Sequence, residues 1–151
     1  MNLILEKTKA VRYFTNMGSV FKALKLSASS FDWYVSDVET NYYGDEFKSE
    51  DQWLSGVELG RFVATNDVQF IWAVFSAFPI GTRFEVTEPP IVEGNADYWS
   101  GREVKPQLSG ALFEIAAWDS SATILIGLPG DAEENFKATY PEVKSLASAA
   151  R

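Results

Sequence analysis

The run Val68 to Phe78, "VQFIWAVFSAF", constrains the fold more than any other stretch. It is apolar at odd and even positions alike, so as a strand it must be buried on both faces. A strand of that kind needs neighbours on either side and a layer above and below it, which places it in the middle of a sheet. The 151 residues suffice for one such core, since a domain of this length buries roughly two thirds of the surface its unfolded chain exposes.

The flanking segments supply the rest of an α+β domain. Residues 3 to 26 carry Leu3, Leu5, Val11, Phe14, Val20, Phe21 and Leu24 at a spacing closer to helical than to alternating, with Gly18 as a break. Phe31, Trp33 and Val35 alternate with Asp32, Tyr34 and Ser36, as a half-buried strand requires, and Asp32 is expected to face solvent. Ser49 and Gln52 match a capping box, which predicts a helix from Glu50 to Phe62 that buries Trp53, Leu54 and Val57. After the central strand, "PIGT" followed by "RFEV" reads as a hairpin turned at Gly81. Glu88 to Pro106 contains three prolines and two glycines and is expected to be a long surface loop.

"ALFEIAAW" and "ATILIGL" around Asp119, Ser120 and Ser121 form the clearest hairpin. Asp131 can cap a helix through Lys137, and Pro141 suits the first turn of a last helix ending near Ala149. With no linker, repeat or low-complexity segment, residues 1–151 read as a single α+β domain. Its sheet is expected to be largely antiparallel and flanked by helices.

Chemistry is bounded by omission. The chain has no Cys and no His, which removes disulfides, thiol nucleophiles, the usual zinc ligand sets and every acid/base scheme that turns on imidazole. No Walker A, G-x-G-x-x-G or G-x-S-x-G pattern is present, and "GLPGDAEEN" places Asp131, Glu133 and Glu134 where a phosphate would be repelled. Asp37, Glu39 and Asn41 begin like a calcium loop, but the glycine position holds Tyr42 and the bidentate glutamate position holds Lys48. No metal or other cofactor is expected. Among the acids, Asp32, Asp37, Glu114 and Asp119 are candidates for carboxylate catalysis near aromatic rings, and nothing in their spacing selects a pair.

Charge is unevenly placed. Residues 1–25 hold five basic side chains and one acid, so the rest of the chain holds eight and twenty, a net −12 within the overall −8. That sign disfavours nucleic acid and favours cationic partners, although solubility alone explains a moderate negative charge. No apolar run is long enough to span a bilayer and no signal-peptide pattern opens the chain, so a cytoplasmic, membrane-free protein is expected.

The densest feature is "DWYVSDVETNYYGDEFKSED", residues 32–51, with seven carboxylates, one lysine and five aromatic rings. Glu50 and Asp51 fit a helix N-terminus. Asp32, Asp37, Glu39, Asp45 and Glu46, interleaved with tyrosines, have the composition of an interface that steers a cationic protein in and packs rings against it. A solvated surface explains the same run equally well. Trp99 lies in "EGNADYWSGRE" beside Tyr98 and is expected to face solvent, whereas Trp53, Trp72 and Trp118 read as core.

Taken together, a small acidic domain free of His and Cys, with "FEIAAWDSSATILIG" followed by "FKATYPEVKSL", resembles the bacterial immunity proteins of contact-dependent-inhibition and related polymorphic-toxin systems. The resemblance covers about a third of the chain, through a closing hairpin and helix. It implies no catalysis but stoichiometric inhibition, with the acidic patch docked over the basic active-site cleft of a cognate toxin domain. Asp32, Asp37, Glu39, Asp45 and Glu46 would then steer, and Tyr42, Tyr43, Tyr98 and Trp99 would anchor. The alternatives are a small carboxylate-dependent enzyme or ligand-binding domain built on Glu114 or Asp119, and a homodimer formed through the aromatic patch.

Overall fold

The computed structural model describes residues 1–6 and 15–151. Seven strands form one sheet in which every pairing is antiparallel: β1 (Leu3–Glu6), β2 (Asp32–Thr40), β3 (Gln52–Ser55), β4 (Phe70–Phe78), β5 (Phe113–Trp118), β6 (Ala122–Ile126) and β7 (Lys144–Ser145). Across the sheet they run β3-β2-β4-β5-β6-β1-β7, so the doubly apolar β4 is an interior strand between β2 and β5. Among the described residues three α-helices, α1 (Met17–Leu24), α2 (Gly56–Thr65) and α3 (Gly130–Thr139), accompany it. This is a single α+β domain with an antiparallel sheet.

Alternation along the strands divides the core in two. One face carries Leu3, Leu5, Trp33, Val35, Phe75, Phe113, Ile115 and Leu125, and packs against Phe21 and Leu24 of α1, Leu59 and Phe62 of α2 and Phe136 of α3. Trp33 is fully buried there, with its ring edge-on to Phe113 and its indole N–H donated to the Ala28 carbonyl at 2.9 Å. The opposite face carries Ile4, Val74, Ala116, Ile124 and Ile126, and among the described residues no α-helix covers it. It is covered by the segment between β4 and β5, which brings Val92, Tyr98 and Trp99 down onto the sheet, and by Leu146 near the C-terminus.

Several local expectations are corrected. Leu3 to Glu6 is a strand, set between β6 and β7, because a three-residue apolar run has no period of its own to declare. Residues 7–14, with Val11 and Phe14, lie outside the described residues. Gly18 does not break α1 but lies in its first turn, behind an Asn16 cap whose side chain accepts from the Ser19 N–H. The capping box is Ser55 and Glu58, six residues later than Ser49 and Gln52, and the intervening Gln52 to Ser55 forms β3. Gly56 fixes that choice: a Cβ there would lie 2.0 Å from the Ala28 carbonyl oxygen, so the first helical residue packs flush against the Ala28–Ser30 turn.

The Gly81 turn is real, with Thr82 N–H bonded to Pro79 O at 3.1 Å, but Arg83 to Val86 form no strand. Both edges of β4 are already taken by β2 and β5, which leaves a returning strand nothing to pair with. The expected last helix is instead β7 and a single 3-10 turn over Leu146–Ala149. Asp131 is a first-turn residue of α3 rather than its cap. The β5–β6 hairpin stands as read, its connection 119–121 carrying Asp119 and Ser120 at φ 47° and 57° and closed by the Ser121 N–H bonded to the Trp118 carbonyl at 2.9 Å.

Candidate functional site

The carboxylates of the acidic stretch do not form one patch. β2 turns Asp32, Tyr34 and Ser36 toward that opposite face, where they meet the segment that covers it. Asp32, expected to face solvent, is only 6% exposed and accepts from the Gly81 N–H at 3.0 Å and from Arg83 Nε at 3.4 Å. Ser36 donates to the Pro90 carbonyl at 2.8 Å. Asp37 stands at φ 53°, where the β2–β4 register shifts, and this kink aims its carboxylate back over the sheet. One oxygen, Oδ2, then accepts from both the Val92 and Glu93 N–H groups at 2.9 and 3.0 Å. These three side chains are clasps for the covering segment.

Glu114 is the deepest clasp. It is fully buried on β5, and Oε1 accepts from the Tyr98 hydroxyl at 2.5 Å while Oε2 accepts from the Gln107 N–H at 2.7 Å. Gln107 closes the network by donating to Tyr98 Oη at 2.9 Å and by exchanging a pair of bonds with the main chain of Ile91. Burial pushes the Glu114 carboxyl up, against the hydrogen bonds from Tyr98 and Gln107 that favour its ionised form. Burial beside that carboxylate pushes the Tyr98 phenol well above its ordinary value. An open depression of about 470 Å³ lies outside, lined among others by Asn95, Asp97, Arg102, Lys105 and Gln107. Glu114 does not line it and is reached through Gln107.

Tyr98 and Trp99 were expected to face solvent and do not. Tyr98 is 1% exposed, and Trp99 packs edge-on against Trp118 with the Arg151 guanidinium 4.1 Å from its ring centroid. The short Ala96–Trp99 turn explains this: it presents two consecutive aromatics to an otherwise uncovered apolar sheet face, and burial of each ring outweighs the ordering cost. Polar neighbours in sequence were a misleading signal, because Asn95 and Asp97 are occupied in shaping that turn. Trp53, Trp72 and Trp118 are only half-buried, and Trp33 is the tryptophan of the core. Asp119 sits exposed in the hairpin turn.

The remaining acids are left free of the fold's core. Glu39, Asp45, Glu46, Glu50 and Asp51 are all exposed, and Tyr43 between them is 99% exposed. Tyr42 is half-buried, edge-on to Phe62, and its hydroxyl accepts from the Glu46 N–H at 3.3 Å. Phe47 is the internal anchor of the stretch, stacked on Phe62 and edge-on to Phe70. Thus an apolar post ties residues 41–51 to α2 and β4, while the acids and Tyr43 project outward. Sequence spacing missed the clasps because their partners, mostly main-chain groups of the covering segment, lie from 7 to 56 residues away and leave no mark on composition.

No family model matches the chain, and no curated protein and no solved structure matches it. Among the described residues, no cluster of three or more His, Cys, Asp or Glu side chains is placed to hold a metal ion, and no helix is long and apolar enough to cross a membrane.

Proposed function

We propose that this chain is a protein-binding inhibitor of the immunity type, which neutralises a cognate basic toxin domain by covering its active site. The observation that carries the reading is the division of the acids. Asp32, Asp37 and Glu114 are consumed in holding the fold and Asp51 accepts the Asp37 N–H, whereas Glu39, Asp45, Glu46 and Glu50 remain in solvent, with a fully exposed Tyr43 in the same stretch. Unpaired acids repel one another and cost a domain some stability, and an aromatic ring left wholly in water adds nothing to the fold. Both are of use to a surface that attracts a cationic protein and then buries a ring against it. Steering belongs to Glu39, Asp45 and Glu46, and anchoring to Tyr43 with Tyr42 behind it. Burial removes Tyr98 and Trp99 from that role, and the hydrogen bonds of Asp32 and Asp37 remove them from steering.

The test is recovery of a basic protein from the source cells on the immobilised chain at low salt. Recovery is expected to fail for the E39K/D45K/E46K variant and to persist for Asp37→Asn. Equal recovery by all three proteins would place the contact elsewhere.

A further inference from the structure

The two ends of the sheet are finished differently. β7 is two residues long, carries Lys144 bonded to Glu6 at 2.9 Å, and runs straight into a 3-10 turn. Shortness and a lysine are devices that stop an edge strand from pairing with another chain. β3, at the other end, is also short at four residues but lacks the other device: "QWLS" contains no charge, no proline and no bulge.

Its outward bonding groups can be assigned. In an antiparallel ladder, alternate residues bond inward to the neighbouring strand and the others point away. The Ser55 N–H is taken by Glu58 Oε1 of the capping box at 3.1 Å, so it points away from β2, and Trp53, two residues earlier, points the same way. No hydrogen bond is recorded beyond the sheet for the Trp53 N–H and C=O among the described residues. On the inner side, Asp51 Oδ1 accepts the Asp37 N–H at 3.1 Å, which continues the attachment to β2 beyond Gln52.

We infer that the open edge of β3 is a docking strand for an extended, lysine- or arginine-bearing segment of a partner protein, which adds to the sheet beside Trp53. This rests on the inhibitor reading and names its mode of contact. Main-chain bonds to the Trp53 N–H and C=O set the register of the added strand, since the carbonyl of the cap residue Ser55 accepts the first bond of α2. The side chain opposite Trp53 meets an aromatic platform, since the Trp53 ring lies 5.4 Å from that of Phe84, which is 42% exposed. A cationic side chain over those rings is attracted by them, and Glu50, Asp51 and Glu58 flank the site. Arg83 lies nearby but is paired with Asp32.

The test uses the isotope-labelled chain at low salt with a blocked peptide of alternating lysine and valine. Slowing of Trp53 amide exchange by about tenfold is expected with that peptide. It should be absent with the glutamate–valine peptide and with a lysine–valine peptide N-methylated at alternate amides. Trp53→Phe should keep the protection at residue 53, and Trp53→Pro, checked for an unchanged fold by its spectrum, should lose the peptide-induced shifts of the neighbouring Gln52 and Leu54 amides. Peptide-induced shifts at Glu39, Asp45 and Glu46 with an unprotected Trp53 amide would overturn the strand-addition inference and leave the acidic surface standing. No shift anywhere would sink both. Protection that grows with protein concentration in the absence of peptide would assign the edge to self-association instead.

Discussion

Asp37 and Asp45 are the same chemical group a few residues apart, yet one is closed off by two main-chain N–H groups and the other is open to water. The difference lies in what the chain passes over. β2 crosses a sheet face that no α-helix among the described residues covers, and the irregular segment that does cover it has main-chain donors with no ladder to join. Acids and hydroxyls on the strands are the acceptors and donors that make such a cover affordable. Past Thr40 the chain leaves the sheet, and there the same residue type is exposed. On β2 and β5, Asp32, Asp37 and Glu114 are structural because residues 79–112 lie over them.

Breaking the clasps should separate the two groups of acids. The largest effect is expected at Glu114. Glu114→Ala orphans the Tyr98 hydroxyl and the Gln107 N–H inside the cover, and at about 1–3 kcal/mol for each unmet buried group should cost roughly 2–5 kcal/mol in urea unfolding. Asp37→Ala orphans two N–H groups nearer the rim and leaves a side chain at positive φ, for about 1–3 kcal/mol by the same measurement. Tyr43→Ala should change stability by less than about 0.5 kcal/mol, as for other surface sites, while weakening partner binding.

The comparison also has a pH signature. The folded state holds the Glu114 proton more tightly than the unfolded chain does, so this group's contribution is full below the ordinary carboxylate range and is lost as pH rises through the raised value. Glu6 and Glu58 have the opposite sign. The Lys144 hydrogen bond lowers the first and the Ser55 backbone N–H lowers the second, so their contributions are lost as pH falls through the lowered values. In a stability–pH curve, Glu114→Gln should remove the component that weakens with rising pH, at the price of setting its amide against the Gln107 N–H. Glu58→Gln should remove part of the acid-side loss.

Elements with a long period or an unambiguous turn were legible from sequence. β4 declares itself by being apolar on both faces, and the β5–β6 hairpin by two apolar runs around Asp119 and Ser120. Short elements were not: Leu3 to Glu6 and Gln52 to Ser55 are each one strand of four residues, and only their neighbours make them strands. The S-x-x-E/Q pattern occurs at both Ser49 and Ser55, and what selects the second is contact between Gly56 and the Ala28–Ser30 turn, which is distant in sequence. The exposure of Tyr43, Asp45 and Glu46 agrees with their polar, turn-like surroundings. The burial of Asp32, Tyr98 and Trp99 could not be read locally, because it depends on which segment covers the sheet.

The account turns on exposed acids that steer and covered acids that do not. The most direct measurement is the association rate with the captured basic partner as a function of ionic strength, for the wild type, E39K/D45K/E46K and the D32N/D37N variant. Steering predicts that the first variant associates at least about tenfold more slowly at low salt with a flattened salt dependence, while the second keeps the wild-type slope. An unchanged rate and slope for E39K/D45K/E46K, or a slope lost in D32N/D37N while the fold stays intact, would contradict the division of the acids.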